Sequence, residues 1–172
     1  MEQKRNVLFL CTHNSSRSQM AEGWARHLLK DQFEFYSAGT APTRVDPYTI
    51  RVMAEAGVDI SRHYAKSIND IRGVDFDYVV TVCDQAREQC PYLPARVAVF
   101  HQDFDDPPAL AGQAKDEQAA LAIYRRVRDE IRRFIEELPR ILEAKGRGPV
   151  VAVRATRAGQ ARHGKSNDPC RR

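Results

Sequence analysis

Apolar residues along this chain alternate between two patterns: short continuous runs, and longer stretches in which they recur every three or four positions. Val7-Leu8-Phe9-Leu10 is a run of the first kind and predicts a buried strand over 6–10. The stretch 18–30 follows the second pattern, with Ala21, Trp24, Ala25 and Leu28 on one face, and predicts an amphipathic helix. A second strand is expected over 33–37, ending in Ala38-Gly39-Thr40. A short helix follows over 47–56, begun by Asp46 as N-cap ahead of Pro47 and stopped at Gly57. Runs at 78–82 and 96–100 supply a third and a fourth strand. A charged helix over 117–144 then turns Leu121, Tyr124, Val127, Ile131, Phe134, Ile135 and Leu138 inward. Strands separated by helices imply an α/β fold, a four-stranded parallel sheet with helices on both faces. Ligands of such sheets bind beyond the carboxyl ends of the strands. Cys11 and Cys83 are both expected there, each one residue past its strand.

The turn between the first strand and the first helix reads Cys11-Thr12-His13-Asn14-Ser15-Ser16-Arg17, with Ser18 behind it. In a strand-to-helix turn, successive backbone N–H groups from Thr12 to Arg17 can curl around one anion while the positive end of the helix dipole points at the same spot. A tetrahedral oxyanion is the natural guest. Arg17 can fork onto two of its oxygens, and the same positive field favours Cys11 as a thiolate beneath the central atom. His13 either adds charge to the rim of this loop or stands exposed beside it.

Cys83 and Cys90 enclose Asp84-Gln85-Ala86-Arg87-Glu88-Gln89, a segment that reads as helical up to Pro91. Seven residues of helix span about 10.5 Å, whereas a disulfide needs Cα atoms within about 7 Å. The two thiols are therefore either inert or able to pair only when the segment unwinds. With Cys11 beyond a neighbouring strand, a redox relay is the expectation. After the fourth strand comes Asp103-Phe104-Asp105-Asp106-Pro107-Pro108, where acids before prolines form turns.

Composition narrows the setting. A chain of 172 residues that is 42% hydrophobic suits one domain with a proper core. Its longest N-terminal apolar run, Val7 to Cys11, is too short for a signal-peptide core or a membrane span, and four cysteines without such a signal fit a reducing cytoplasm. The net charge of +4 is unevenly spread. Residues 144–172 carry eight basic side chains against the single acid Asp168, which leaves residues 1–143 mildly acidic. A catalytic domain over 1–143 and a basic, solvated tail over 144–172 are expected, the tail being rich in Gly and Pro and without aromatics. Cys170 in that tail reads as a bystander, and nucleic acid is not expected as a partner. The histidines His27, His63, His101 and His163 show no metal-ligand spacing.

The run from Val7 to Gly23 resembles the low-molecular-weight protein tyrosine phosphatase superfamily, and within it most closely the thioredoxin-coupled arsenate reductases. The resemblance spans about residues 5 to 143. It implies a low-molecular-weight phosphatase-like, flavodoxin-like architecture and reduction of arsenate to arsenite through a relay of Cys11, Cys83 and Cys90, with thioredoxin as reductant. Arg17 and the loop from Thr12 to Ser16 would hold the oxyanion, Ser18 would hydrogen-bond the Cys11 thiolate, and Asn14 would stabilise the loop. Asp106 matches the Asp-Pro general acid of the superfamily. Phosphatases of the family follow that motif with tyrosines; Pro108-Ala109-Leu110 stands here instead, against an aryl phosphate. A phosphatase and a non-enzymatic oxyanion sensor are the alternatives. No cofactor is required; family members can bind potassium near the loop, a site that Asn14, Glu22 and Ser37 match in part. A monomer is expected.

Overall fold

Four strands pair in parallel in the structure, a computed structural model that describes residues 3–84 and 93–147. They are β1 (Arg5–Cys11), β2 (Phe33–Gly39), β3 (Phe76–Thr81) and β4 (Ala95–His101), in the order β2-β1-β3-β4. Each is slightly longer than its apolar run, because ladder hydrogen bonds continue past the residues that face the core. Every residue from Val7 to Cys11 and from Tyr78 to Thr81 is buried, as expected of central strands covered on both faces. β4 is one of the two edges, and its Val97 and Val99 are exposed.

The helices are α1 (Arg17–Leu29), α2 (Pro47–Glu55), α3 (Pro107–Ala111) and α4 (Glu117–Gly146), with a 3-10 turn at Ile68–Ile71. α1 packs along α4, where the Trp24 indole donates to the Arg128 carbonyl at 3.2 Å. All seven residues expected to face inward on α4 are buried. That helix continues past the predicted end at 144, through Pro139, to Gly146. The rest of the basic tail lies outside the described residues. On α1 the expectation for Leu28 is corrected. Leu28 is exposed and Leu29 takes the core position, because the buried stripe runs in steps of four through Ala21, Ala25 and Leu29. α3 and the 3-10 turn are too short to show a period and were not foreseen. Asp46 caps α2 as predicted, accepting from the Tyr48 N–H at 2.8 Å. Among the described residues no helix is long and apolar enough to cross a membrane.

From β1 the chain winds outward to β2, then returns past β1 to β3 and on to β4. The winding therefore reverses between β1 and β3, and the crevice at their carboxyl ends is the topological switch point. Cys11 is the last residue of β1, and Cys83 lies two residues past β3, a correction of one position for each. Register places them side by side: Leu10 pairs with Thr81, and the Val82 N–H donates to the Leu10 carbonyl at 2.9 Å.

β2 ends at Gly39 directly beneath the loop that follows β1. A Cβ there would lie 2.5 Å from the Thr12 carbonyl oxygen and 2.9 Å from the Asn14 nitrogen, both backbone atoms that cannot yield. Gly39→Ala is expected to cost about 1–3 kcal/mol by overpacking and to weaken oxyanion binding by more than the melting temperature alone suggests. Urea denaturation beside phosphate binding checks this.

Candidate active site

The loop 11–17 is held open from outside. The carbonyls of Cys11, Thr12, His13 and Ser15 accept from Thr40, Ala41, Thr43 and Asp46 at 2.8–3.2 Å, and the Ser16 carbonyl accepts from Met20 N within α1. In a planar trans peptide the N–H points opposite to the preceding C=O. Turning these carbonyls outward therefore aims the N–H groups of Thr12, His13, Asn14, Ser16 and Arg17 to the other side. The Asn14 N–H donates there to Cys11 Sγ at 3.2 Å. At the N-terminus of α1 this gives the loop the geometry of an anion cradle.

Asn14 makes the curl possible. Its φ is +48°, a left-handed conformation that Asn tolerates better than most residues. Its fully buried side chain uses its whole hydrogen-bonding capacity. Oδ1 accepts from the Lys66 N–H at 2.8 Å and from Gln19 Nε2 at 2.9 Å; Nδ2 donates to Ser18 Oγ at 2.8 Å and Ser37 Oγ at 2.9 Å. Because the Lys66 N–H can only donate, the orientation of the Asn14 amide is fixed, and every proton downstream follows. Ser18 accepts from Asn14, so its own hydrogen points at Cys11 Sγ, 2.8 Å away. Ser37 likewise accepts from Asn14 and donates to Glu22 Oε2.

Burial pushes the Cys11 thiol above its ordinary value. The Ser18 hydroxyl pulls it down, neighbouring Cys83 raises it, and the N–H groups of Asn14 and Ser18 pull it down again. The donors foreseen for a thiolate are thus present, with desolvation outweighing them. Cys83 is buried, and its sulfur lies 3.6 Å from Thr12 Oγ1. Cys90, and Cys170 in the tail, lie outside the described residues.

Arg17 reaches over the cradle toward the loop after β4. One Nη donates to the Phe104 carbonyl at 3.0 Å, and the other stands 3.6 Å from Asp106 Oδ1. Asp106 precedes Pro107 at the start of α3, yet its side chain makes no capping bond and lines the cleft instead. Asp105 pairs with Arg126 at 3.0 Å. The structure therefore brings Cys11, Arg17 and Asp106 to one cleft of about 1300 Å³, with His13, Ser15 and Ser16 on its wall. His13 is exposed.

Tyr48 and Tyr124 also line the cleft, a role their positions in sequence did not signal. Tyr124 donates to Asp46 Oδ2 at 2.5 Å, and Asp46 N donates to the Ser15 carbonyl at 3.0 Å. Burial and the Asp46 carboxylate push the Tyr124 phenol far above its usual range, so it remains a donor at any physiological pH. This links α4 through α2 to the cradle. Asp84, His101 and Asp103 also converge, their ligand atoms within 4.8 Å of one another, with His101 Nε2 3.3 Å from Asp84 Oδ1. Linear spacing could not reveal this group, because β3 and β4 bring it together.

Glu22 is expected beside Asn14 and Ser37, but its two cationic partners are not legible in the sequence. It is buried on α1, with Arg26 at 3.0 Å from Oε1, while Oε2 takes the Ser37 hydroxyl and Lys66 Nζ at 3.4 Å. Asn14, Glu22 and Ser37 are thus together, as a potassium site would require, but the position among them is approached by a lysine.

A family model described as low molecular weight phosphotyrosine protein phosphatase matches residues 6–147. The chain belongs to that family. It is 44% identical over 134 residues to arsenate reductase 1 of Staphylococcus epidermidis, covering 78% of this chain and 95% of the relative. Among solved structures it is similar to an arsenate reductase in a phosphate-binding state, with TM-score 0.63 and 32% identity over 78% of this chain and 95% of the other. It is also similar to a thioredoxin-dependent arsenate reductase of Corynebacterium glutamicum, with TM-score 0.58 and 28% identity over 83% of this chain and 64% of that one.

The Ser18 bond gives a signed expectation. Since the hydroxyl holds the Cys11 thiol down, Ser18→Ala raises its pKa further, and the alkylation rate at neutral pH falls by roughly tenfold for each unit gained. The pH profile of iodoacetamide labelling at Cys11 should move to higher pH; an unmoved profile would show that Ser18 does not set the ionisation.

Proposed function

We propose that this protein reduces arsenate to arsenite by thiol-disulfide exchange, with thioredoxin as the reductant, in the cytoplasm and as a monomer. The observation that carries the reading is the adjacency of two buried thiols, Cys11 in the cradle and Cys83 beside Thr12. Hydrolysis of a phosphate ester needs only the first. The relatives support the same reading, since arsenate reductases match at 44% identity and a thioredoxin-dependent one shares the fold.

In this mechanism the cradle N–H groups and the Arg17 guanidinium hold three oxygens of arsenate, which places the arsenic above Cys11 Sγ. The Cys11 sulfur attacks, an S–As bond forms, and one As–O bond breaks with departure of water. Asp106 supplies a proton to the leaving oxygen. The thiol proton passes to the oxyanion, itself a base, while the Ser18 hydrogen, already aimed at Cys11 Sγ, stabilises the developing thiolate. Cys83 then attacks the Cys11 sulfur, the Cys83 thiol proton passing to an oxygen of the departing arsenic group. The S–As electron pair moves onto arsenic, arsenic(V) becomes arsenic(III), and arsenite leaves as the Cys11–Cys83 disulfide forms. Cys90 exchanges with Cys83, returning Cys11 to its thiol and leaving a Cys83–Cys90 disulfide for the thioredoxin dithiol. Two electrons enter from thioredoxin for each arsenate reduced.

A second reading has one observation in its favour. A cleft of about 1300 Å³ is far larger than a tetrahedral oxyanion and would admit an organic phosphate. The two readings separate in one assay: arsenate-dependent NADPH oxidation with thioredoxin and thioredoxin reductase, beside hydrolysis of an aryl phosphate. Wild type is expected to consume NADPH, and Cys11→Ser, Cys83→Ser and Cys90→Ser each to fall to background. Aryl phosphate hydrolysis unaffected by the Cys83 and Cys90 changes, with no arsenate turnover, would establish a phosphatase.

A further inference from the structure

The surroundings of Lys66 differ from those of an ordinary surface lysine. Its side chain is only 12% exposed and faces Glu22, whose side chain is 3% exposed. Nζ stands 3.4 Å from Glu22 Oε2, 3.2 Å from the Tyr64 carbonyl and 5.0 Å from the centre of the Tyr64 ring, so carboxylate, carbonyl and π-face converge on one ammonium. The backbone of the same residue is built into the cradle: its N–H donates to Asn14 Oδ1 at 2.8 Å, and its carbonyl accepts from Gly39 N at 2.8 Å.

From that ammonium a directed chain of hydrogen bonds leads to the nucleophile. Lys66 donates to Glu22, Ser37 donates to Glu22, Asn14 donates to Ser37 and to Ser18, and Ser18 is left to donate to Cys11. The buried carboxylate orients the Ser37 hydroxyl and so contributes to the polarity of the Asn14 amide. A buried carboxylate holds its charge only beside a compensating cation. Arg26 meets Oε1 from a half-exposed position, and Lys66 meets Oε2 from inside.

The oxygens that an alkali cation would need are already engaged. Asn14 Oδ1 accepts twice, Glu22 Oε2 accepts from Ser37 and Lys66, and the Tyr64 carbonyl accepts from Gln19 and Lys66. An added potassium ion would also be a third positive charge around a single carboxylate. These residues therefore do not fit a bound potassium ion. We infer that the Lys66 ammonium is a built-in counter-ion that stands where a monovalent cation would otherwise hold Glu22, Ser37 and Asn14 in register. Lys66 is in this sense a positioning residue, and the cradle is independent of potassium.

The test compares potassium chloride with choline chloride at matched ionic strength. Wild type is expected to show the same melting temperature, phosphate affinity and arsenate turnover in both. In choline, Lys66→Met should lower turnover by about tenfold, the scale of one lost charge-assisted hydrogen bond, and potassium should raise both its melting temperature and its turnover. The double variant Glu22→Gln/Lys66→Met removes the charge that demands a cation and should melt alike in the two salts. Melting is read without substrate, so it stands even if the arsenate reading fails. A potassium-specific rise in wild type overturns the inference. So does a Lys66→Met protein that matches wild type in choline, or one that is impaired and indifferent to potassium, since either would leave Lys66 a packing residue.

Discussion

The Asn14 side chain is the constraint on which the site rests. An L-residue at positive φ is needed to curl the chain after β1, and a short amide that can satisfy itself locally lowers the cost of that turn. Four hydrogen bonds then tie it to α1, to β2 and to the segment before the 3-10 turn. The same bonds assign the direction of every hydroxyl proton between Glu22 and Cys11. Backbone geometry and the direction of the hydrogen bond to Cys11 are therefore set by one residue. The buried polar positions Ser18, Gln19, Glu22 and Ser37 exist to complete it.

Two opposing electrostatic effects meet at Cys11. Placing the thiol at the closed end of β1 strips it of water and raises its pKa, yet only a closed site lets the cradle's N–H groups and Arg17 act at low dielectric. Ser18 and the loop amides offset part of the desolvation. Arg17 is poised between the cradle and the Asp106 loop, so the group proposed to bind the oxygens also faces the acid proposed to serve the leaving oxygen.

Much of this was legible because it is local. A strand, a loop of Cys-x5-Arg spacing and a helix follow one another within residues 5–29, and their periodicities differ sharply. The parallel sheet followed from the alternation of elements, and the placing of Cys11 beside Cys83 from the rule that sites lie at the strands' carboxyl ends. Contacts between distant segments escaped. Nothing near Lys66 in sequence announces that its ammonium meets Glu22, and the closeness of Gly39 to Thr12 depends on strand register. The Asp84–His101–Asp103 group likewise depends on the β3–β4 pairing. A three-or-four spacing admits two neighbouring faces, one with Leu28 and one with Leu29 inward, and only the packing of α1 on α4 chooses between them.

In the proposed relay, arsenate reduction leaves its two electron holes in the chain's own thiols. The most direct measurement mixes fully reduced wild-type protein with excess arsenate in the absence of thioredoxin, quenches after one turnover with an alkylating agent, and maps the disulfides while counting arsenite. One arsenite per chain, a Cys83–Cys90 disulfide and an alkylated Cys11 are expected. Arsenite without any new disulfide, or three free thiols and no arsenite, would contradict the relay.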